Sequence, residues 1–314
     1  MQTHSLAERP DLVEAFWSIA GDWPTFMLQD PTSDRAYEAA VEAFPQLHLV
    51  VMEGEAAVAR LHAVPFGHGL SDLPVRGWDA AMQEAEWLAA KGAAPDWSTV
   101  SLIEARVAVD RRDEGLSGAL LAEARRRYAA LGCRDLFGPV RPTRKWLEPR
   151  TAADEYARRV REDGLPVDPW LRAHVRLGGR IVQVAPLSMT IPGTLAQWRE
   201  WTGLPFDVDG SVEVEGGLAP VHVDLANDHA VYVEPNVWVH HDLRPAPAAP
   251  RARSHSGPAS RRRRQCRAWG GDMQIHPRSA GGGGRSGGPG PVPPPITTPA
   301  RGCLGARSQL WGDR

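Results

Sequence analysis

The sequence predicts an α/β (α+β) fold: a mixed, mainly antiparallel central sheet flanked by helices. Three observations lead there. Two helical segments open the chain, followed by two β-rich runs around a tight turn, which read as an antiparallel hairpin. A nearly continuous apolar strand then passes through a glycine turn into a long helix and on to a short strand, the pattern of one parallel crossover. Later strands alternate with short helices and close in a β-rich stretch, with no internal repeat.

Each element has a local reason. Residues 9–21, RPDLVEAFWSIAG, read as a helix, with Pro10 suited to the first turn and Leu12, Phe16, Ile19 and Ala20 on one stripe. Residues 31–45 read as a second helix, capped by Ser33 or Thr32 and ended by Pro45. Residues 47–66 give the hairpin, turning at Glu53-Gly54-Glu55. Residues 67–99 read as an insertion: a Gly-rich loop, a helix near 78–91 and a turn at Pro95-Asp96. TVSLIEARVAV (99–109) is a strand, 115–131 a helix and RDLFGPV (134–140) a strand. TAADEYARRVRED and DPWLRAHVRLGG (168–179) are helices, the second stopped by Leu-Gly-Gly. RIVQVAPLSMTI, PVHVDL and AVYVEPNVWVHH are strands, with the helix TLAQWREWTG between the first two.

Charge divides the chain. Residues 244–314 hold thirteen arginines, two aspartates and neither Lys nor Glu, a net of +11, which leaves −13 in residues 1–243. About a third of that tail is Pro or Gly, and only five of its residues are Leu, Ile or Val. Such composition cannot bury enough apolar surface to offset ordering, so 244–314 is expected to be disordered. RRRRQCR at 261–267 is able to attract nucleic acid or a membrane surface, but nothing aromatic or helical organises it. The tail also has the bias of a GC-rich gene read out of frame. Cys133, Cys266 and Cys303 form no CxxC pair, so neither a disulfide framework nor a zinc knuckle is expected. No run of about 18 apolar residues and no leader-like segment is seen, so a cytoplasmic protein without a membrane span is expected. Scarce Gln and Lys beside abundant Arg and Ala suggest a bacterial gene.

The turn after the apolar strand carries the functional signal. Gly115 and Gly118 flank Ser117, and Leu116, Leu120, Leu121 and Ala124 form one face of the helix that follows. A glycine turn at a helix N-terminus leaves backbone N–H groups unpaired, a site for a pyrophosphate. No Gly-Lys-Ser/Thr follows, so it is not a Walker A loop, and it is not a GxGxxG turn.

Arg112-Asp113-Glu114-Gly115-Leu116-Ser117, followed by Gly118-Ala119-Leu120-Leu121, resembles the acetyl-CoA signature of the GNAT N-acetyltransferases, Arg/Gln-x-x-Gly-x-Gly/Ala. The order of elements is also similar to that family, over roughly residues 6–241. The resemblance implies an acyl-CoA N-acyltransferase-like fold, acetyl-CoA as co-substrate and transfer of acetyl to the amine of a small molecule. It implies that Val107 and Val109 offer backbone contacts to the pantetheine arm, and that Arg112 to Gly118 cradle the pyrophosphate. Ser117 replaces the usual Gly or Ala. Asp113 and Glu114 stand where basic residues are common, so binding would rest on backbone N–H groups.

Acetyl transfer needs a neutral amine, donors for the oxyanion and a proton for the thiolate. Family members commonly place a Tyr four residues before a helix-ending Gly, and in HVRLGG that position is His174. His174 is a proton donor to sulfur on this reading, and a histidine answering the helix C-terminal dipole on the other. None of Tyr37, Tyr128, Tyr156 and Tyr232 has the family position. Glu104, a carboxylate inside an apolar strand, reads as a general base or as the ion-pair partner of Arg106. His62 is a weaker candidate, better read as a half-exposed sheet histidine, and His240-His241 is too short a cluster for a metal. Two other classes stay open: a catalytically idle acyl-CoA-binding module, and a nucleic-acid-associated protein using the tail. Oligomeric state is undecided, with a homodimer allowed.

Overall fold

Nine strands and seven helices alternate along the described residues, 1–92 and 98–245 of a computed structural model. The expected turn at Pro95-Asp96 and the tail from residue 246 lie outside them. The strands are β1 (Gln2–Ser5), β2 (Leu49–Glu53), β3 (Ala56–Pro65), β4 (Thr99–Val107), β5 (Asp135–Val140), β6 (Arg180–Thr194), β7 (Gly210–Val212), β8 (Val221–Asp224) and β9 (His229–Asp242). The helices are α1 (Val13–Ser18), α2 (Pro31–Ala43), α3 (Gly77–Lys91), α4 (Leu116–Ala130), α5 (Ala153–Arg158), α6 (Pro169–Arg176) and α7 (Leu195–Thr202).

They form one sheet in the order β1-β2-β3-β4-β5-β9-β8-β7, with β6 on the other side of β9. Only β4 and β5 run parallel, joined through α4. The predicted mixed, mainly antiparallel sheet is therefore present. Helices α1, α2 and α3 cover the face that carries Arg60, His62 and Glu104. On the opposite face α4 lies against β3 and β4, and α5 and α6 lie against β6 and β9, where Leu171 and Ala157 pack on Val237, Val239 and Val140. Both faces of the middle strands are thus covered, and β3 is buried from Val58 to Pro65.

Helix ends follow from sequence. The cap of α2 is Asp30, not Ser33 or Thr32: its Oδ1 accepts from the backbone N–H of Thr32 (2.6 Å) and Ser33 (3.3 Å). Pro31 takes the first helical position, which needs no N–H partner, so the cap must be the residue before it. Asp168 caps α6 in the same way, ahead of Pro169. Thr194 and Gln197 form a capping box on α7.

Two expected helices are shorter in the structure. The first breaks into a 3-10 turn (Pro10–Leu12) and the six-residue α1. The helix expected over TAADEYARRVRED stops at Arg158, because Val160 and Pro166 pair across a turn. The edge strand β1 and the short β7 have no apolar alternation and escape sequence patterning. Among the described residues no helix is long and apolar enough to cross a membrane.

Candidate active site

β4 and β5 part where the sheet changes direction. β4 pairs with β3 from Val100 to Val107, but with β5 only over Thr99–Ser101 against Asp135–Phe137. Gly138 still abuts Leu102, where an added Cβ would come within 3.2 Å of the leucine Cβ. From there β5 follows β9, and a V-shaped gap opens with Ile103 to Val107 only half-buried along its side. β4 also bulges here. Leu102 faces Ala63 and Glu104 faces His62, so Ile103 is the extra residue, outside the ladder with β3. The indole N–H of Trp78 donates to the Ile103 carbonyl at 3.2 Å.

The glycine turn stands at the end of this V. β4 stops at Val107; Val109 begins a 3-10 turn and is 55% exposed. Asp113 (φ 67°) and Gly115 (φ 76°) are left-handed, with Glu114 between them. Such a curl turns successive N–H groups inward, the geometry of an anion nest. Gly115 is the N-cap of α4, and no side chain caps that helix. The N–H groups of Leu116, Ser117 and Gly118 therefore lack an intrahelical partner, and the ladder begins with Ala119 donating to Gly115 at 3.1 Å. A Cβ built on Gly115 or Gly118 would meet nothing within 4 Å, so both face open space. The charged side chains turn aside. Arg111 holds Glu114 through two 2.9 Å bonds and also reaches Glu53, and Arg112 holds Asp22 at 2.6 and 2.7 Å. The carboxylate of Glu114 is thereby offset by a guanidinium.

Glu104 lies between two arginines. Its side chain is 7% exposed, with Arg60 at 2.8 Å and Arg106 at 2.6 Å. Burial alone would raise its pKa, but the Arg60 and Arg106 guanidiniums outweigh burial and hold it below the ordinary range. Both pairings follow from register, since Arg60 faces Arg106 and His62 faces Glu104 across β3 and β4. Arg60 is itself fully buried and donates to the Phe16 carbonyl at 3.0 Å.

His174 is not at the solvent end of its helix. It is 1% exposed, and its Nδ1 lies 3.0 Å from Nε2 of His241. Burial, then the neighbouring His241, pushes its pKa down to about 3, so the ring is neutral. His62, expected to be half-exposed, is 0% exposed among Phe16, Tyr37 and His48, because α1 and α2 cover its face of the sheet. The tyrosine hydroxyls of Tyr128, Tyr156 and Tyr232 donate to Leu47 O, Asp168 and Glu234 respectively.

One loop bridges the V. Arg106 on β4 donates to Ile19 O at 3.3 Å, Arg112 in the glycine turn pairs with Asp22, and Arg141 beyond β5 lies 5.2 Å over the Trp23 ring. Arg141 is aimed by buried Glu234, which also accepts from Tyr232 and Asn236. Sequence reading missed Asp22, Arg60 and Arg141, and took His241 only as part of a cluster too short for a metal; a lone Arg inside the apolar run VARLHAV was the signal available for Arg60. A separate cavity of about 520 Å³, lined by Lys145, Ala153, Val184, Pro186, Leu218 and Pro235 among others, shares no residue with the glycine turn. Its lysine donates to three carbonyls, of Glu148, Pro149 and Leu218, and is no nucleophile.

No family model matches the chain. In sequence it is similar to the arginine N-acetyltransferase avaD of Aspergillus versicolor, 30% identical over 267 residues that take in 76% of this chain and 92% of that protein. Among solved structures it is similar to the loading GNATL domain of CurA from Lyngbya majuscula, at 14% identity, 77% of this chain, 97% of that one and a TM-score of 0.48. It is likewise similar to the GphF GNAT-like decarboxylase in complex with isobutyryl-CoA, at 19% identity, 78% of this chain, 100% of that one and a TM-score of 0.47.

Proposed function

The chain belongs to the GNAT family of N-acetyltransferases, and on that premise we propose that it transfers an acetyl group from acetyl-CoA to the amine of a small cationic acceptor. The observation that carries the donor half is the uncapped N-terminus of α4, set at the end of a splayed strand with open space at Gly115 and Gly118. Residues Asp113 to Gly118 supply backbone N–H groups for the pyrophosphate, and the Ser117 hydroxyl adds a donor. The unpaired edge of β4 toward Val107 offers backbone groups for the pantetheine arm, with Val109 at its outer end. When bound, the co-substrate supplies the activated thioester.

The similarity to an arginine N-acetyltransferase supports a basic acceptor. The −13 charge of residues 1–243 supports it too, since an acidic body steers cations. Ile103, out of the β3 ladder at the bulge, is our candidate for the backbone group that meets the developing oxyanion. Glu104 is assigned a positioning role. A carboxylate held ionised between two arginines is a poor proton acceptor, but it keeps Arg106 on the bridging loop beside the V.

Calorimetry of the full chain with acetyl-CoA, followed by thiol release with a panel of amines that includes arginine, tests this. Binding with turnover confined to cationic amines is expected. No binding at millimolar acetyl-CoA would overturn the proposal, and binding without turnover on any amine would reduce the chain to an acyl-CoA-binding module.

A further inference from the structure

We propose that Trp78 is a positioning residue for acetyl transfer: it spans the V from β6 to β4 and fixes the bulge peptide at Ile103. This rests on the acetyl-transfer reading above, with Ile103 as the backbone group that meets the oxyanion. Trp78 acts through Ile103 and stands on α3, in the stretch the sequence marks as an insertion.

Each end of Trp78 is bonded to a different half of the sheet. Its backbone N–H donates to Ser188 Oγ on β6 at 2.9 Å, and its indole N–H donates to the Ile103 carbonyl on β4 at 3.2 Å. β6 joins the β5 side of the V through β9, and β4 is the other wall. Both bonds fall where a strand leaves its register. Ile103 is the extra residue of β4, and Ser188 sits between Ala185 and Met189, where β6 slips against β9. A residue outside the ladder has to find partners elsewhere, and for the Ile103 carbonyl the indole supplies one.

The strut is held at both ends. Just before it, the carbonyls of Leu73, Pro74 and Val75 accept from Gln183 Nε2 (3.3 Å), Trp238 Nε1 (2.9 Å) and the Leu187 N–H (3.1 Å), which fastens the segment to β6 and β9. Ser188 passes its own hydrogen to Asn236 Oδ1 at 2.6 Å, and Asn236 donates to Glu234, the carboxylate that aims Arg141. Gly77 allows the close approach: an added Cβ would overlap Ser188 Oγ and lie 2.8 Å from the Ala185 Cβ. On the other half, the Trp78 ring packs on Tyr37 with centroids 5.7 Å apart, and Tyr37 packs on His62 of β3 at 4.5 Å. Trp78 is 6% exposed and Ser188 0%, so little water competes for either bond.

Such a strut matters where strands part. A donor aimed at a developing oxyanion contributes most when it is fixed before the charge appears. At Ile103 neither neighbouring strand does the fixing: β5 pairs with β4 only as far as Ser101, and the β3 register is broken at the bulge. Trp78 supplies the missing constraint, and because its other end is on β6 it holds the bulge at a set distance from the far side of the V. A misplacement of about 1 Å at a group of this kind can cost on the order of 100-fold in rate.

Trp78→Phe in the full chain keeps an aromatic ring and removes the indole donor. It should lower kcat by on the order of 10- to 100-fold and leave the Kd for acetyl-CoA within a few-fold, because the turn from Asp113 to Gly118 is left intact. Infrared spectra of bound acetyl-CoA, ¹³C-labelled at the thioester carbonyl, read the positioning directly. In wild type the bound carbonyl band should lie below that of free acetyl-CoA, and in Trp78→Phe it should move back toward it. Unchanged kcat, or a lowered kcat with an unmoved band, overturns the proposal. Ser188→Ala releases the other end of Trp78 and should act in the same direction by less; if Trp78→Phe does not fold, Ser188→Ala decides by the same two readings. Failure of wild type to bind or turn over acetyl-CoA would sink the acetyl-transfer reading and this proposal with it. Normal wild-type turnover with a bound band no lower than the free one would sink only the Ile103 assignment and the role of Trp78.

Discussion

Replacing Asp79 by asparagine should stabilise the protein, and more so at pH 8 than at pH 5. Asp79 lies in the first turn of α3 and is 2% exposed, and its Oδ1 has no hydrogen-bond partner. The α2 cap Asp30 is 0% exposed, and its Oδ2 is likewise unpartnered. Burial, and then the charge of Asp30, pushes the Asp79 carboxyl up to about 7, and Arg76 at 3.4 Å offsets this only in part. A raised acid binds its proton more tightly in the folded state than in the unfolded one. Its stabilising contribution is therefore complete below the ordinary value of 3.8 and is lost as pH rises through about 7. The difference in proton binding between pH 5 and pH 8 amounts to roughly 2.5 kcal/mol. Asparagine has no charge to bury and keeps a donor where the protonated carboxyl has one. Urea unfolding followed by tryptophan fluorescence at the two pH values measures the change. A gain from Asp79→Asn that is the same at pH 5 and pH 8 would refute the reasoning, because Asp79 would then ionise like an exposed aspartate.

Three further substitutions probe the site. Glu104→Gln leaves Arg60 and Arg106 without their shared carboxylate in a buried place and should cost about 3–5 kcal/mol; a loss below about 1 kcal/mol in chemical unfolding would contradict the burial of the triad. Gly115→Ala forces a side chain into φ 76° with no steric contact, so a loss of about 1–2 kcal/mol from backbone strain alone is expected, together with weaker acetyl-CoA binding by calorimetry. Equal affinity in Gly115→Ala would argue that the turn is no cradle. Gly179→Ala drives a Cβ into the His241 ring and should cost about 1–3 kcal/mol, as overpacking does; a melting temperature equal to wild type would show that the histidine pair has slack.

Much of the fold was legible because its signals are local. The strand, turn and helix around Arg112 to Gly118 sit in consecutive residues, and their glycines declare the left-handed turn that the structure has at Gly115. The site's side chains were less legible, because their partners lie far along the chain. Arg60 and Glu104 are 44 residues apart, His174 and His241 are 67, and Asp22 and Arg112 are 90. No window of sequence joins them; only strand register and helix docking do. His62 misled for a related reason. Period-2 alternation assumes one wet face, and β3 has none over most of its length.

The loop that bridges the V ties the two halves of the chemistry into one balance. Its contacts at Ile19, Asp22 and Trp23 come from three different places: β4, the glycine turn and the end of β5. No displacement of this segment toward or away from the V can leave all three unchanged. If an acceptor and acetyl-CoA each move this segment, each changes the other's affinity by the same factor, because such coupling is reciprocal.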